Sequence, residues 1–321
     1  MGVPTGTFQV YTQTNVREDL IDAIYNVDPY KTPFLNMAKR ASAKQTFHQW
    51  DTDALDAQSL SNAAVEGDDP SNITVTPAVK LGNYTQISEK TIQISGTSQA
   101  VIAAGGSNKM GYQLLKKSKE LKRDMEGILT YNQASAVGNA STARKSAGMP
   151  AWLKTNTSFQ TGGTPAGANP TSADGTGTRT YNSTQTAITE TMVKSVLQSI
   201  YTNSGDSPTY ALCSPANKQN ISGFTGVGTR FTKVEDKVLS SVVDIYESDF
   251  GDVKIIPDIF LANSHDVFFV NPDYVRVAYL RPFQTTPLAK TGDSDRKQLL
   301  VEYCLEMGNE KAHGGIFDTT G

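Results

Sequence analysis

The chain has 321 residues, enough for about two domains of roughly 150 residues each and for a core that needs no disulfide or metal staple. With 29 Lys+Arg against 32 Asp+Glu its formal charge is −3, which excludes a nucleic-acid coat held by bulk positive charge. Only 38% of residues are hydrophobic, and its few histidines (His48, His265, His313) and cysteines (Cys213, Cys304) show no metal-ligand spacing.

The N-terminal segment, residues 1–45, reads as an arm. Leu20, Ile21, Ile24 and Tyr25 share one side of a short helix within Asn15–Tyr25, which Asp28-Pro29 ends. Thr32-Pro33-Phe34-Leu35 then opens another turn, with Thr32 as N-cap and Pro33 at the first helical position. From Thr46 to Ser95 alternating apolar residues at both ends and the polar Glu66-Gly67-Asp68-Asp69-Pro70 between them predict a long two-stranded excursion. An arm of about 20 residues at roughly 3.3 Å each would reach on the order of 65 Å, against a radius of gyration near 20 Å for a compact chain of this length. Such a hairpin must fold back on the body or lie on another subunit.

Leu114, Leu121, Met125, Ile128 and Leu129 predict a long helix over 107–137, with Gly138 as its stop. Its polar side carries Lys109, Lys116, Lys117, Lys119, Lys122 and Arg123. This stripe reads as a solvated face with Lys116/Glu120 and Lys122/Glu126 pairs, since no aromatic residues interleave as a nucleic-acid reader requires. Residues 155–186 hold no Ile, Leu, Val or Met and cannot supply a core, which predicts a surface insertion, a contact loop or disorder.

Beyond it, Met192, Val193, Val196, Leu197 and Ile200 stripe a helix that ends at Asn203-Ser204-Gly205. A buried strand over Thr209–Cys213 and a helix opening at Ser214-Pro215 follow. Val242–Tyr246, Val253–Ile256, Val267–Val270, Val275–Leu280, Leu299–Leu305 and Gly314–Phe317 are strand candidates. Cys213 and Cys304 sit in apolar strand-like runs, which predicts buried free thiols. No leader-like segment opens the sequence and no apolar run nears the ~18 residues of a membrane span, so a cytosolic protein without a membrane is expected.

Single motifs are weak. Lys290-Thr291-Gly292 with Ser294-x-x-Lys297 resembles the signature of penicillin-recognising serine enzymes in the wrong order. Gly105-Gly106-Ser107-Asn108-Lys109 lacks phosphate-loop spacing, and Gly223–Gly228 lacks the dinucleotide pattern. Asp51, Asp53, Asp56, Glu66, Asp68 and Asp69 read as solvated loop acids rather than a calcium site.

A longer pattern is specific. Asp28-Pro29 with Thr32-Pro33-Phe34-Leu35, His48-Gln49-Trp50, Glu66-Gly67-Asp68, Asn83-Tyr84-Thr85-Gln86-Ile87, Ile94-Ser95-Gly96-Thr97, Glu120-Leu121-Lys122-Arg123-Asp124-Met125-Glu126, Asp249-Phe250-Gly251 and Lys290-Thr291-Gly292-Asp293 run in order over nearly the whole chain. Together they resemble the tailed-phage major head proteins of HK97-like fold. The resemblance implies an α+β chain with an N-terminal arm (1–45), an extended β-hairpin loop or E-loop (46–95), and a peripheral domain (96–186). That domain would hold the 107–137 spine helix and the 155–186 insertion, followed by an axial domain (187–289) and a return to the peripheral domain (290–321). Gly148–Leu153 is similar to the glycine-containing strand that follows the spine helix.

By the same resemblance the chain is a structural protein with no catalytic residue, cofactor or metal. It would self-assemble into pentamers and hexamers of an icosahedral head around double-stranded DNA, with the portal protein and with scaffolding or decoration proteins as further partners. It would be assembled in the bacterial cytoplasm and kept in the virion. Phe34, Leu35, Trp50, Tyr84, Ile87, Phe224 and Phe231 are the expected inter-subunit contacts. A tail-tube or β-rich adhesion module, suggested by the Thr/Gly/Asn-rich middle, is the alternative.

Overall fold

Residues 29, 31–67, 69, 72, 74–101, 109–224 and 245–321 are described by the computed structural model. The helix expected over Asn15–Tyr25, the Gly105-Gly106 turn, Gly226–Gly228, Phe231 and Asp68 lie outside them. In chain order the elements are α1 (Pro33–Met37), β1 (Lys39–Ser42), β2 (Phe47–Thr52), β3 (Val79–Tyr84), β4 (Gln86–Ser95), α2 (Gly96–Ala100) and α3 (Lys109–Thr130). Then come β5 (Thr157–Ser158), α4 (Glu190–Ser204), β6 (Tyr210–Cys213), α5 (Pro215–Ser222), β7 (Ile245–Ser248), β8 (Gly251–Pro257), β9 (Val267–Val270), β10 (Val275–Leu288), β11 (Ser294–Met307) and β12 (Gly314–Ile316).

Two sheets organise the body. One has four strands in the order β1-β10-β11-β4, the other six in the order β5-β12-β9-β6-β8-β7, and β2 pairs with β3 alone. All four residues of β9 are buried because the six-stranded sheet is covered on both faces. Leu212, Phe268 and Val270 point into the core shared with α3 and the four-stranded sheet, which includes Leu121, Met125, Leu129, Trp152, Val301 and Tyr303. Ala211, Cys213 and Phe269 point the other way, onto Val193, Val196, Leu197 and Ile200 of α4. That helix follows its sequence signals closely: Thr189 caps it by accepting from the Met192 N–H, and Gly205 ends it at φ +71, a left-handed conformation that glycine adopts without penalty. Cys213 and Cys304 are free and buried, and burial pushes both thiols up to about 12.

Several expectations are corrected. The excursion is not one long hairpin: β2 and β3 pair only between Phe47/Tyr84 and Thr52/Val79, the described residues between 53 and 78 form no helix or strand, and β4 joins the body by pairing with β11. Helix α3 stops at Thr130 rather than Val137. Gly148 crosses its end so closely that a Cβ there would collide with the Tyr131 carbonyl. Asn132 and Gln133 then turn their amides to the carbonyls of Arg179 (2.7 Å) and Ser146 (2.6 Å). Gly138 serves instead the turn that pairs Ala136 with Lys145. Met149–Ala151 is a buried 3-10 turn, not a strand.

The chain passes between the sheets at 271–274, between β9 and β10. Residue 289, the expected boundary, lies in the β10–β11 turn, and β12 returns to the six-stranded sheet. The 155–186 segment is docked by polar side chains where apolar ones are missing. The Arg179 guanidinium lies 3.5 Å from the centre of the Phe317 ring and 4.7 Å from that of Phe159, and burial lowers its pKa to about 10. The Tyr181 hydroxyl donates to Asp266 (2.6 Å), and Asn156 donates to the carbonyls of Lys311 and His313.

Candidate assembly surfaces

The β2–β3 ladder is held at its base. Trp50 Nε1 donates to the Met307 carbonyl (2.9 Å), and its ring lies 5.5 Å from that of Trp152. His48 Nε2 is 3.0 Å from Glu306, whose other oxygen accepts from Arg276 (3.0 Å). Asn83 is fully buried, donating to the Leu305 carbonyl (2.7 Å) and accepting from the Ala147 N–H (2.9 Å). Where β3 hands over to β4, Thr85 donates to Glu302 (2.8 Å), a carboxylate also held by Arg144 (2.6 Å) and Arg281 (2.7 Å). Burial alone would raise the Glu302 pKa, but these hydrogen bonds and the two guanidinium charges outweigh it and hold the group below its ordinary value.

Beyond this base several apolar side chains among the described residues stand exposed. Leu55 is 100% exposed, Leu60 92%, Val75 85% and Val65 75%. Burying each Leu or Val elsewhere is worth about 1.5–3 kcal/mol, so a loop that displays four leaves apolar area in water that burial would stabilise. None of these residues stood out in the sequence. The signal was isolated Leu and Val residues in a run otherwise polar enough to read as a turn.

Six of the seven expected contact residues lie among the described residues, and they are placed unevenly. Ile87 is 43% exposed and lines an open groove of about 340 Å³ with Val137 and Arg144. Leu35, Trp50 and Tyr84 are half-buried, Tyr84 with its ring 4.5 Å from that of Phe47. Phe224 packs against the α4 core. Phe34 departs from the expectation: its side chain is wholly inside the chain's own core and has no surface to offer a neighbour.

The basic stripe on α3 is largely engaged within the chain. Lys117 pairs with Glu120 (2.7 Å), Lys109 donates to the Val101 carbonyl (3.0 Å), and Lys122 and Arg123 lie over the rings of Phe283 and Phe260. The expected Lys122/Glu126 pair does not form, because Glu126 is buried and accepts from the backbone N–H groups of Phe34 (2.6 Å) and Leu35 (2.9 Å). Ser294 and Lys297 fall on strand β11, where residues three apart face opposite sides, so they cannot act as the nucleophile and base of a Ser-x-x-Lys pair. Among the described residues no helix is long and apolar enough to cross a membrane.

This arrangement has relatives. The chain aligns over its full length with the major capsid protein of Escherichia phage Phieco32, at 27% identity and with 99% of that protein covered. Its fold matches a chain of the cyanophage A-1(L) capsid asymmetric unit with a TM-score of 0.64, at 13% identity and covering 98% of this chain and 100% of that one. A capsid chain of a native GTA particle matches with a TM-score of 0.63, at 11% identity over 97% and 98% of the two chains. These structures place the α+β architecture in the HK97-like capsid fold. The family described as SU10 major capsid protein matches residues 3–320, and the chain belongs to that family of tailed-phage major capsid proteins.

Proposed function

We propose that the subunit builds pentamers and hexamers of an icosahedral head enclosing double-stranded DNA, and that it closes the shell by laying residues 53–78 on a neighbouring copy. The observation that carries this is the contrast within one hairpin: a base fixed by Trp50, His48 and Asn83, and a distal loop whose Leu and Val side chains are exposed. A fixed base aims the loop away from its own body, and a partner copy supplies the burial the loop lacks. Leu35 and Ile87 keep surface for such contacts, and Trp50 and Tyr84 hold the loop's root. The role is structural, without a catalytic step. Its setting is the bacterial cytoplasm during assembly, with the portal protein and with scaffolding and decoration proteins as partners. A formal charge of −3 suits a wall that encloses DNA without gripping it. Negative-stain microscopy of the purified protein is expected to show closed shells or capsomers of megadalton mass. A species of single-subunit mass at high concentration, with and without a co-expressed scaffold, would overturn the proposal.

A further inference from the structure

The distal loop and helix α3 carry opposite charges. Residues 53–78 hold five acids, Asp53, Asp56, Glu66, Asp68 and Asp69, and no Lys or Arg. The stretch Lys109–Arg123 of α3 holds six cations against one acid, Glu120.

The fold keeps that positive charge at the surface. Leu121 and Met125 turn one side of α3 into the core, and steps of three and four residues line up Tyr112, Leu115, Lys116, Lys119 and Lys122 along the outer side. Neighbouring carboxylates offset little of it: Lys117 pairs with Glu120 (2.7 Å), Asp124 is taken by Lys90 (2.6 Å), and Glu126 is buried against the amides of Phe34 and Leu35. Lys109 donates to the Val101 carbonyl and Lys122 lies 6.0 Å from the centre of the Phe283 ring, contacts that orient a cation without cancelling its charge. The face is also partly apolar, since Leu115 is 60% exposed and Tyr112 39%. The loop has the matching make-up, with Leu55 and Leu60 exposed close in sequence to Asp53 and Asp56.

We infer that the outer face of α3 on one copy is the landing surface for residues 53–78 of another, with Leu115 and Tyr112 covered by the loop's Leu side chains and Lys116 and Lys122 facing its carboxylates. This rests on the proposed crossing of the loop to a neighbouring copy and adds where it lands. Opposite charges on loop and helix speed the encounter and fix its register, while a loop meeting another loop is repelled. Double-stranded DNA would match the lysines, but a phosphate backbone offers nothing to bury Leu115.

The test treats wild-type shells, assembled from isotopically light and heavy subunits, with a water-soluble carbodiimide, which takes up the elements of water as a carboxylate and a nearby lysine amine condense to an amide. Light-to-heavy links between the 53–78 peptide and Lys116 or Lys122 are expected. Light-to-heavy links from the loop to other lysines alone, or a loop that forms no link at all, would overturn the landing site and leave the crossing of the loop standing. Loop links confined to single-isotope chains would overturn both. In parallel, Lys116→Glu/Lys122→Glu is expected to lower shell yield by on the order of tenfold at about 0.1 M salt, where charges within about 10 Å still act on one another. Adding Asp56→Lys/Glu66→Lys should recover most of that yield, with subunit melting temperatures matching wild type throughout. Normal yield from the lysine variant with reduced DNA content would assign the face to DNA and overturn the inference. So would a loss of yield, in subunits that melt normally, that the loop reversal leaves unchanged.

Discussion

Replacing residues 56–76 by a short Gly-Ser linker is expected to leave a folded subunit that no longer closes shells. None of the described residues of the excised stretch belongs to either main core, and all six β2–β3 pairs, from Phe47/Tyr84 to Thr52/Val79, survive it. Trp50, His48 and Asn83 keep their anchors on β11 and beside it. Shortening an unstructured loop alters closure entropy only slowly with length, so the melting temperature of the unassembled subunit should move by no more than a few degrees. Assembly should fail because the exposed apolar side chains of Leu60, Val65 and Val75 are gone. Leu60→Asp alone should weaken it, as a charge replaces a side chain that the proposed contact would bury. Microscopy and sedimentation read both outcomes. Shells of normal yield and size from the linker variant would remove the loop from the assembly mechanism.

Glu302→Ala should be the most damaging single change at the root of the hairpin. The carboxylate is almost fully buried and binds three partners on three segments: Thr85 between β3 and β4, Arg144 beyond α3, and Arg281 on β10. Removing it strands a buried hydroxyl and two guanidinium groups. Because Arg144 and Arg281 are partly exposed and can recover water, the cost should fall below the roughly 3–5 kcal/mol of a fully buried broken pair, at about 2–3 kcal/mol. For a chain of this size that is a fall of roughly 5–10 °C in melting temperature. Since the Glu302 pKa is depressed in the folded protein, its contribution is complete above 4.5 and is lost as pH falls through the folded value. Thermal unfolding of the unassembled subunit should therefore show the difference between wild type and Glu302→Gln narrowing as the buffer is taken from pH 7 to pH 3. A gap that stays constant over that range would show that the carboxylate's charge is not what stabilises the junction.

Elements whose signals are local were legible in the sequence. Helix α4 has an apolar stripe, a Thr189 cap and a Gly205 stop, and all three act in the structure. Strands β9, β10, β11 and β12 were visible as apolar runs, though β10 and β11 extend well past theirs into a more exposed hairpin. What escaped was decided by tertiary partners. Nothing near Val137 announces that Gly148 will cross the helix end at Tyr131. Glu126 has the spacing of a surface partner for Lys122, yet the amides of Phe34 and Leu35, about 90 residues earlier, draw it inside. The 155–186 segment lacks aliphatic residues, so its docking through Arg179, Asn156 and Tyr181 was invisible to an argument based on apolar content. Among the assembly residues, Phe34 read as outward-facing because the arm has little core of its own. The structure gives it the core of α3 and the four-stranded sheet instead.

In the proposed assembly residues 53–78 leave their own subunit and are buried on another. This is tested most directly by placing a benzophenone side chain at Leu60 and assembling shells from an equal mixture of isotopically light and heavy subunits before irradiation. Crosslinked peptides that join light to heavy chains are expected in shells, and none when the subunits are kept unassembled. Crosslinks confined to chains of a single isotope, in shells as in free subunits, would show that the loop folds back on its own body and would contradict it.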